Sequence, residues 1–235
     1  MNLVLFESHE LKNRTLELSD YRFEHIRDVH RATVGDSLRI GELNGLCGVA
    51  TITSFTDESL SLDVNLDTPP PPKLPLTLIL ALPRPKMLRR ILRSVAELGV
   101  AELILINASR VEKSFWQSPV LSSDSAYRYF RQGLEQSRDT VLPILHIAKR
   151  FKPFIEDEFP AIATGKTALL AHPGLGEHCP HGLVESTVLV VGPEGGFIPY
   201  EVDMMMAAGC RGIHLGDRIL RVENAVTTLV AKLFD

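Results

Sequence analysis

A chain of 235 residues with 45% hydrophobic and 23% charged side chains can bury a sizeable core. None of its apolar runs approaches the roughly 18 residues of a membrane helix. Three cysteines, Cys47, Cys179 and Cys210, stand far apart with no CxxC pair, which argues against a disulfide framework or a cysteine-rich zinc site and for a reducing, cytoplasmic setting.

The opening MNLVLFESHELKNRTLELSD meets charge too early for a secretory signal. Residues 1–72 hold 6 Lys+Arg against 12 Asp+Glu, residues 73–152 hold 14 against 6, and residues 153–235 hold 5 against 11, for a net charge of −4. A basic middle in an acidic chain fits a localised polyanion-facing surface, and equally a solvated basic helix face.

Up to residue 72, short alternating runs such as DSLRIGELNGLCGVATITSF, split by Gly, Asn and Asp turns, predict a small, mostly β domain with a helical piece near YRFEHIRDVHRAT. The prolines of LDTPPPPKLP then exclude helix interior and sheet ladder and predict a stiff connector, setting domains at 1–72 and 73–235. LPLTLILAL reads as a buried strand and PKMLRRILRSVAELGV as an amphipathic helix ending at Gly99. AELILINAS is a strand, LSSDSAYRYFRQGLEQS a helix and LPILHIA a short strand. TALLAHPG, STVLVVGPEGG and RGIHLGD add three strands, and helices near IPYEVDMMMAAG and from Val222 close the series. Continuous apolar strands alternating with amphipathic helices predict an α/β fold with a parallel sheet.

Three of these strands run into small-residue turns: LLAHPG (Leu169–Gly174), LVVGPEGG (Leu189–Gly196) and IHLGDRIL (Ile213–Leu220). Ligands of open α/β sheets bind beyond the carboxyl ends of strands, so the three turns together predict a pocket that bonds through its main chain. TGKT (Thr164–Thr167) lacks the earlier glycine of a phosphate-binding loop and precedes a strand. GPEGGF lacks dinucleotide-fingerprint spacing. The histidines of HPGLGEHCPHG match no zinc spacing, so no metal is expected. In the basic middle, Arg84, Lys86, Arg89, Arg90 and Arg93 flank one helix, Arg110 and Lys113 follow a strand, and Arg128, Arg131 and Arg138 accompany the next helix. Trp116, Tyr127, Tyr129 and Phe130 lie nearby, Tyr127 and Phe130 being the expected core members; arginines with aromatics suit phosphate contacts and stacking on unpaired bases.

ELGV (Glu97–Val100), EQSRDTVLPIL (Glu135–Leu145), VGPEGGFIPYEV (Val191–Val202) and LGDRILRVENA (Leu215–Ala225) together resemble the bacterial 16S ribosomal RNA uridine N3-methyltransferases, of the knotted SPOUT class. YRFEHIRDVHRATVGDSLRI is similar to that family's PUA-like RNA-binding domain. The resemblance implies a deep trefoil knot in the C-terminal domain, S-adenosylmethionine as cofactor and a homodimer. It implies that Leu215, Gly216, Ile219 and Leu220 line the adenosine pocket, that Gly192, Pro193, Glu194, Gly195 and Gly196 form a second wall, and that Leu170, Ala171 and His172 form a third. Arg221 then sits at the mouth as the catalytic cation, with Glu223 orienting it or accepting a proton. Arg22, Arg27 and Arg31 join Arg84, Lys86, Arg89, Arg110, Arg131 and Arg138 as RNA-binding residues, the partner being 16S rRNA in the small subunit. Glu223–Asn224 replaces a more usual Glu-Thr pair, and Val29–His30–Arg31 a more usual Val-Leu-Arg. Two alternatives stand beside this reading: a SPOUT enzyme modifying another base or a ribose 2′-hydroxyl, and a non-catalytic RNA-binding assembly factor.

Overall fold

The computed structural model describes residues 2–234. They form two compact units: the segment ending at Pro72 joined by Arg131–Leu142, and Lys73–Phe130 joined by the segment from Pro143 onward.

The first unit is a six-stranded mixed sheet. Its strands are β1 (Val4–Phe6), β2 (Leu11–Lys12), β3 (Thr15–Leu18), β4 (Ser37–Glu42), β5 (Cys47–Phe55) and β6 (Leu60–Thr68), in the order β1-β4-β5-β6-β3-β2. β1 runs parallel to β4, pairing Val4 with Ile40, and the other pairs are antiparallel. The predicted helical piece is α1 (Tyr21–His25), capped by the Asp20 carboxylate on the Arg22 amide and continued by a π-helical turn over Ile26–His30. Alternation puts Leu16, Leu18, Ile40, Ile52, Leu60 and Leu62 on the inner face, where Phe6, Phe23 and Ile26 complete the core. Arg131–Leu142 is tied in by main-chain bonds: the Asn2 and Leu3 amides share the Glu135 carbonyl, and the Asn44 amide donates to that of Thr140.

The second unit is a seven-stranded parallel sheet, ordered β11-β13-β10-β12-β7-β8-β9. Its strands are β7 (Leu74–Ala81), β8 (Val100–Ile106), β9 (Ile144–Ala148), β10 (Thr167–Ala171), β11 (Glu177–His178), β12 (Thr187–Val191) and β13 (Arg211–His214). β7, β8 and β12 are largely buried on both faces, which is why they read as unbroken apolar runs. β9 lies at the sheet edge with Ile144 and Ile147 exposed.

The helices are α2 (Pro85–Glu97), α3 (Ser123–Ser137), α4 (Phe151–Pro153), α5 (Phe159–Ala163), α6 (Pro199–Ala207) and α7 (Val222–Leu233). Leu88, Ile91, Leu92 and Val95 recur on one face of α2 and are buried, each contributing on the order of 2 kcal/mol. Gly99 ends that helix at φ +72. Among the aromatics of the basic middle, Phe130 and Tyr129 are buried while Tyr127 is only half-buried, so Tyr129 takes the core place expected of Tyr127. The fold positions the site through strand order. β12 lies between β10 and β7, and β13 lies beyond β10, so three strand ends, at Ala171, Val191 and His214, open side by side.

Candidate functional site

Beyond those ends lies a cavity of about 330 Å³. Of the residues expected there, Ala171, His172, Gly192, Pro193, Glu194, Gly196, Leu215, Gly216, Ile219, Leu220 and Arg221 line it. Three do not. Leu170 is fully buried inside β10. Gly195 turns outward, and its carbonyl accepts from the Arg110 guanidinium. Glu223 sits in the first turn of α7 facing Arg90, 3.8 Å away, and among the described residues makes no bond to Arg221.

Two of the three walls are fastened by hydrogen bonds. The His172 amide donates to the Ile213 carbonyl at 3.0 Å, stitching the end of β10 to β13. The Gly196 amide donates to the Pro193 carbonyl at 2.8 Å, closing a turn, and the Glu194 carboxylate accepts the Arg84 amide at 3.0 Å, capping α2. The buried Glu201 carboxylate accepts from the Ile198 amide at 3.0 Å and the Ser109 amide at 2.6 Å, joining this turn to the loop after β8. At the third wall Gly216 has φ +100, a conformation most side chains resist.

Sequence reasoning missed several wall residues. Val222, Ala225 and Leu229 present one face of α7 to the cavity, and their helical spacing marks that face as apolar without telling cavity from core. Val191, Phe197 and Ile213 add apolar surface, and His214 and Arg218, which lie in the third turn without having been expected as lining, add polar groups. Arg221 occupies the N-cap of α7, yet its side chain makes no capping bond and is exposed. Among the described residues it has no ion-pair partner. A cation held at the mouth of a largely apolar cavity can meet negative charge developing on a ligand.

The basic residues divide sharply. Arg84, Lys86, Arg89, Arg31 and Arg138 are exposed, the last two in left-handed backbone at φ 53 and 63. Arg27 is exposed but paired with Asp28 at 2.7 Å and laid over Phe23. Arg22 and Arg131 are corrected from RNA ligands to structural groups. Arg22 is 4% exposed, with its donors spent on Asp20, Glu10 and the Leu5 carbonyl. Arg131 donates to the same carbonyl at 2.6 Å and to Glu135 at 3.2 Å. Trp116 donates its indole N–H to Asn107, fastening a loop.

Burial pushes the Cys210 thiol up to about 12, and Cys179 and Cys47 also lie above the usual thiol value, with burial the leading cause. None is poised as a thiolate nucleophile. Among the described residues no group of three or more His, Cys, Asp or Glu could hold a metal, and no helix is long and apolar enough to cross a membrane.

The profile of the RNA methyltransferase domain family matches residues 70–233. The ribosomal RNA small subunit methyltransferase E of Treponema pallidum is 30% identical over 238 residues, covering 98% of this chain and 90% of that protein. The protein of the same name from Synechocystis is 26% identical, covering 93% and 72%. A ribosomal RNA small subunit methyltransferase E from Neisseria gonorrhoeae, crystallised with S-adenosyl methionine, matches with a TM-score of 0.72 at 20% identity, over 97% and 95% of the two chains. A Legionella pneumophila methyltransferase solved with the same cofactor gives 0.76 at 21% identity, over 98% and 95%. With the domain profile matched over most of its length and a full-length relative at this identity, the chain belongs to the ribosomal RNA small subunit methyltransferase E family.

Proposed function

We propose that this chain transfers a methyl group from S-adenosylmethionine to N3 of a uridine in the 16S rRNA of the small ribosomal subunit. The observation that carries the reading is the cavity itself: three parallel strand ends, three turns, and Arg221 at the mouth with no ion-pair partner among the described residues. The walls suit the cofactor. Val191, Phe197, Ile213 and Leu229 offer apolar surface to a flat base. Among the described residues the main chain of residues 217–220 makes no hydrogen bond within the protein, so its amides and carbonyls remain open to a ligand's polar edge. Ala171, His172, Gly192, Pro193, Glu194, Gly196, Leu215, Gly216, Ile219 and Leu220 would hold it. Bound there, the cofactor supplies a methyl group already activated on a sulfonium.

The protein's task is then positioning and charge. Uridine N3 lies on the pairing edge, so the base must be unpaired or flipped to enter. N3 must also lose its proton, and Arg221 beside O2 or O4 stabilises the resulting anion as an oxyanion hole does, which favours release of that proton to solvent. Glu223, facing Arg90, anchors the start of α7 rather than aiming Arg221.

The same reading takes the first unit, with its six-stranded sheet, as a PUA-like RNA-binding domain whose strands fall within the expected 1–72 and which Arg131–Leu142 joins from beyond that bound. It takes the second unit as a trefoil knot, supported by the insertion of β12 between β10 and β7 and by the clustering of the 192–196 and 215–221 turns at one cavity. Exposed Ile219 and Leu220 support a homodimer, and three unpaired cysteines support the cytoplasm. Exposed Arg27, Arg31, Arg84, Lys86, Arg89, Arg110 and Arg138 remain the proposed RNA contacts.

Labelled S-adenosylmethionine, incubated with this protein and small subunits from a strain lacking it, tests the reading by mass spectrometry of the nucleosides. Label in 3-methyluridine is the expected result. Label in another nucleoside would overturn the target while keeping the enzyme class. Cofactor binding without label in any RNA would favour the assembly-factor alternative.

A further inference from the structure

The loop from Leu215 to Leu220 forms a whole wall of the cavity, yet it holds itself in place poorly. Among the described residues the main chain of residues 217–220 makes no hydrogen bond within the protein. Ile219 is 80% exposed and brings no packing to the loop. Among the described residues one hydrogen bond restrains it between the end of β13 and the start of α7: the Gly216 amide donates to Nδ1 of His214 at 3.0 Å. A side-chain acceptor on residue i meeting the amide of i+2 is the geometry by which Asn and Asp build local turns, here made by an imidazole.

His214 is well placed to anchor. Its carbonyl accepts the Cys179 amide at 2.8 Å, and the neighbouring Ile213 carbonyl accepts that of His172 at 3.0 Å, so both flanking segments pin its backbone. Its ring packs on the ring of His178, its register partner in β11, with centroids 4.3 Å apart. Because Nδ1 accepts, the ring is neutral and carries its proton on Nε2. Gly216, at φ +100, turns the chain sharply just where that bond forms.

We propose that His214 is a positioning residue for cofactor binding: its imidazole, by holding the Gly216 amide, sets the 215–220 loop in the form that closes one wall of the cavity. The inference rests on the reading that this cavity takes S-adenosylmethionine, and it deepens that reading by assigning the residue that preorganises the site. An acceptor at position 214 is what the loop requires; an aromatic ring alone stacks on His178 but leaves the amide untethered.

The test uses the full chain as wild type, His214→Asn and His214→Phe. Nitrogen NMR without cofactor reads the His214 tautomer, and calorimetry with S-adenosylmethionine reads affinity. The wild-type ring is expected with its proton on Nε2. His214→Asn, which can accept from the same amide, retains near-wild-type affinity. His214→Phe binds roughly tenfold more weakly, the scale of one hydrogen bond, while its thermal unfolding without cofactor is unchanged. In turnover the loss falls on KM for the cofactor and leaves kcat in place. A proton on Nδ1, or His214→Phe binding as wild type does, would overturn the role of His214 alone. Wild-type protein that fails to bind the cofactor would overturn the reading of the cavity and this proposal with it, whatever the tautomer.

Discussion

Arg221 stands at the N-cap of α7 without capping it, and Arg22 is buried in the first unit with its donors spent. Both are arginines beside carboxylates in the sequence; what separates them is whether the guanidinium already has partners. Replacing Arg221 by Ala removes the cation at the cavity mouth and should lower kcat by about 10²–10³-fold, as loss of one anion-stabilising donor does, while calorimetry finds cofactor affinity unchanged. Arg22 governs stability instead. Burial raises the Glu10 and Asp20 carboxyls, but hydrogen bonds from Arg22, the further bonds of the Glu7 and Arg22 amides, and the arginine charge outweigh it, so both lie below their ordinary 4.5 and 3.8. Groups lowered on folding stabilise the protein above their unfolded values and lose that contribution as pH falls through the lower folded ones. Melting temperatures of the full chain should therefore fall as pH drops below about 4.5, and Asp20→Asn should melt lower at neutrality with a shallower loss in acid. The sequence marks Arg22 and Arg131 as cations and carries no sign of their burial, since long side chains are drawn inside by distant carbonyls such as that of Leu5.

Strands β7, β8, β10 and β12 were legible because burial on both faces leaves an apolar run with no competing period, whereas β13, with Arg211 exposed and no such run, was legible through the small-residue turn that follows it. The segment Phe151–Ala163 was not: Pro153 and Pro160 interrupt it, and it folds as α4, a π-helical turn over Phe154–Glu158, and α5, too short for any period to emerge. The three turns were legible by their glycines and their place after strands, but their mutual fastening was not, because Glu194, Glu201 and Arg110 reach partners far along the chain. Gly176, just before β11, shows how tightly that end is packed. It has φ +69, and a Cβ there would fall 2.0 Å from the Gly212 carbonyl oxygen on β13. Gly176→Ala should cost more than the ~1–2 kcal/mol of left-handed backbone alone, parting β11 from β13 and weakening cofactor binding. Thermal unfolding together with calorimetry checks both effects; an alanine variant with wild-type values would show that this end of the sheet yields.

Charge is arranged over the whole chain, with the excess of cations confined to residues 73–152 and acidic stretches on either side. Arg84, Lys86 and Arg89 are exposed together at the start of α2. Replacing all three by Ala should weaken small-subunit binding, with a salt dependence shallower by roughly 0.7–0.9 for each phosphate no longer neutralised; filter binding across a salt series would measure this, and cofactor affinity should stay as it was. The division of the chain carries a different consequence. The first unit includes Arg131–Leu142, whose Glu135 carbonyl takes the Asn2 and Leu3 amides and whose Thr140 hydroxyl bonds the Gly45 carbonyl. During synthesis the N-terminal sheet therefore leaves the ribosome with part of its framework still untranslated, and it must wait for α2, β8 and α3 to emerge before it can finish folding. For the same reason, a gene cut at the proline run, the most inviting joint in the sequence, would not excise a self-sufficient module; it would divide a fold from a piece of itself.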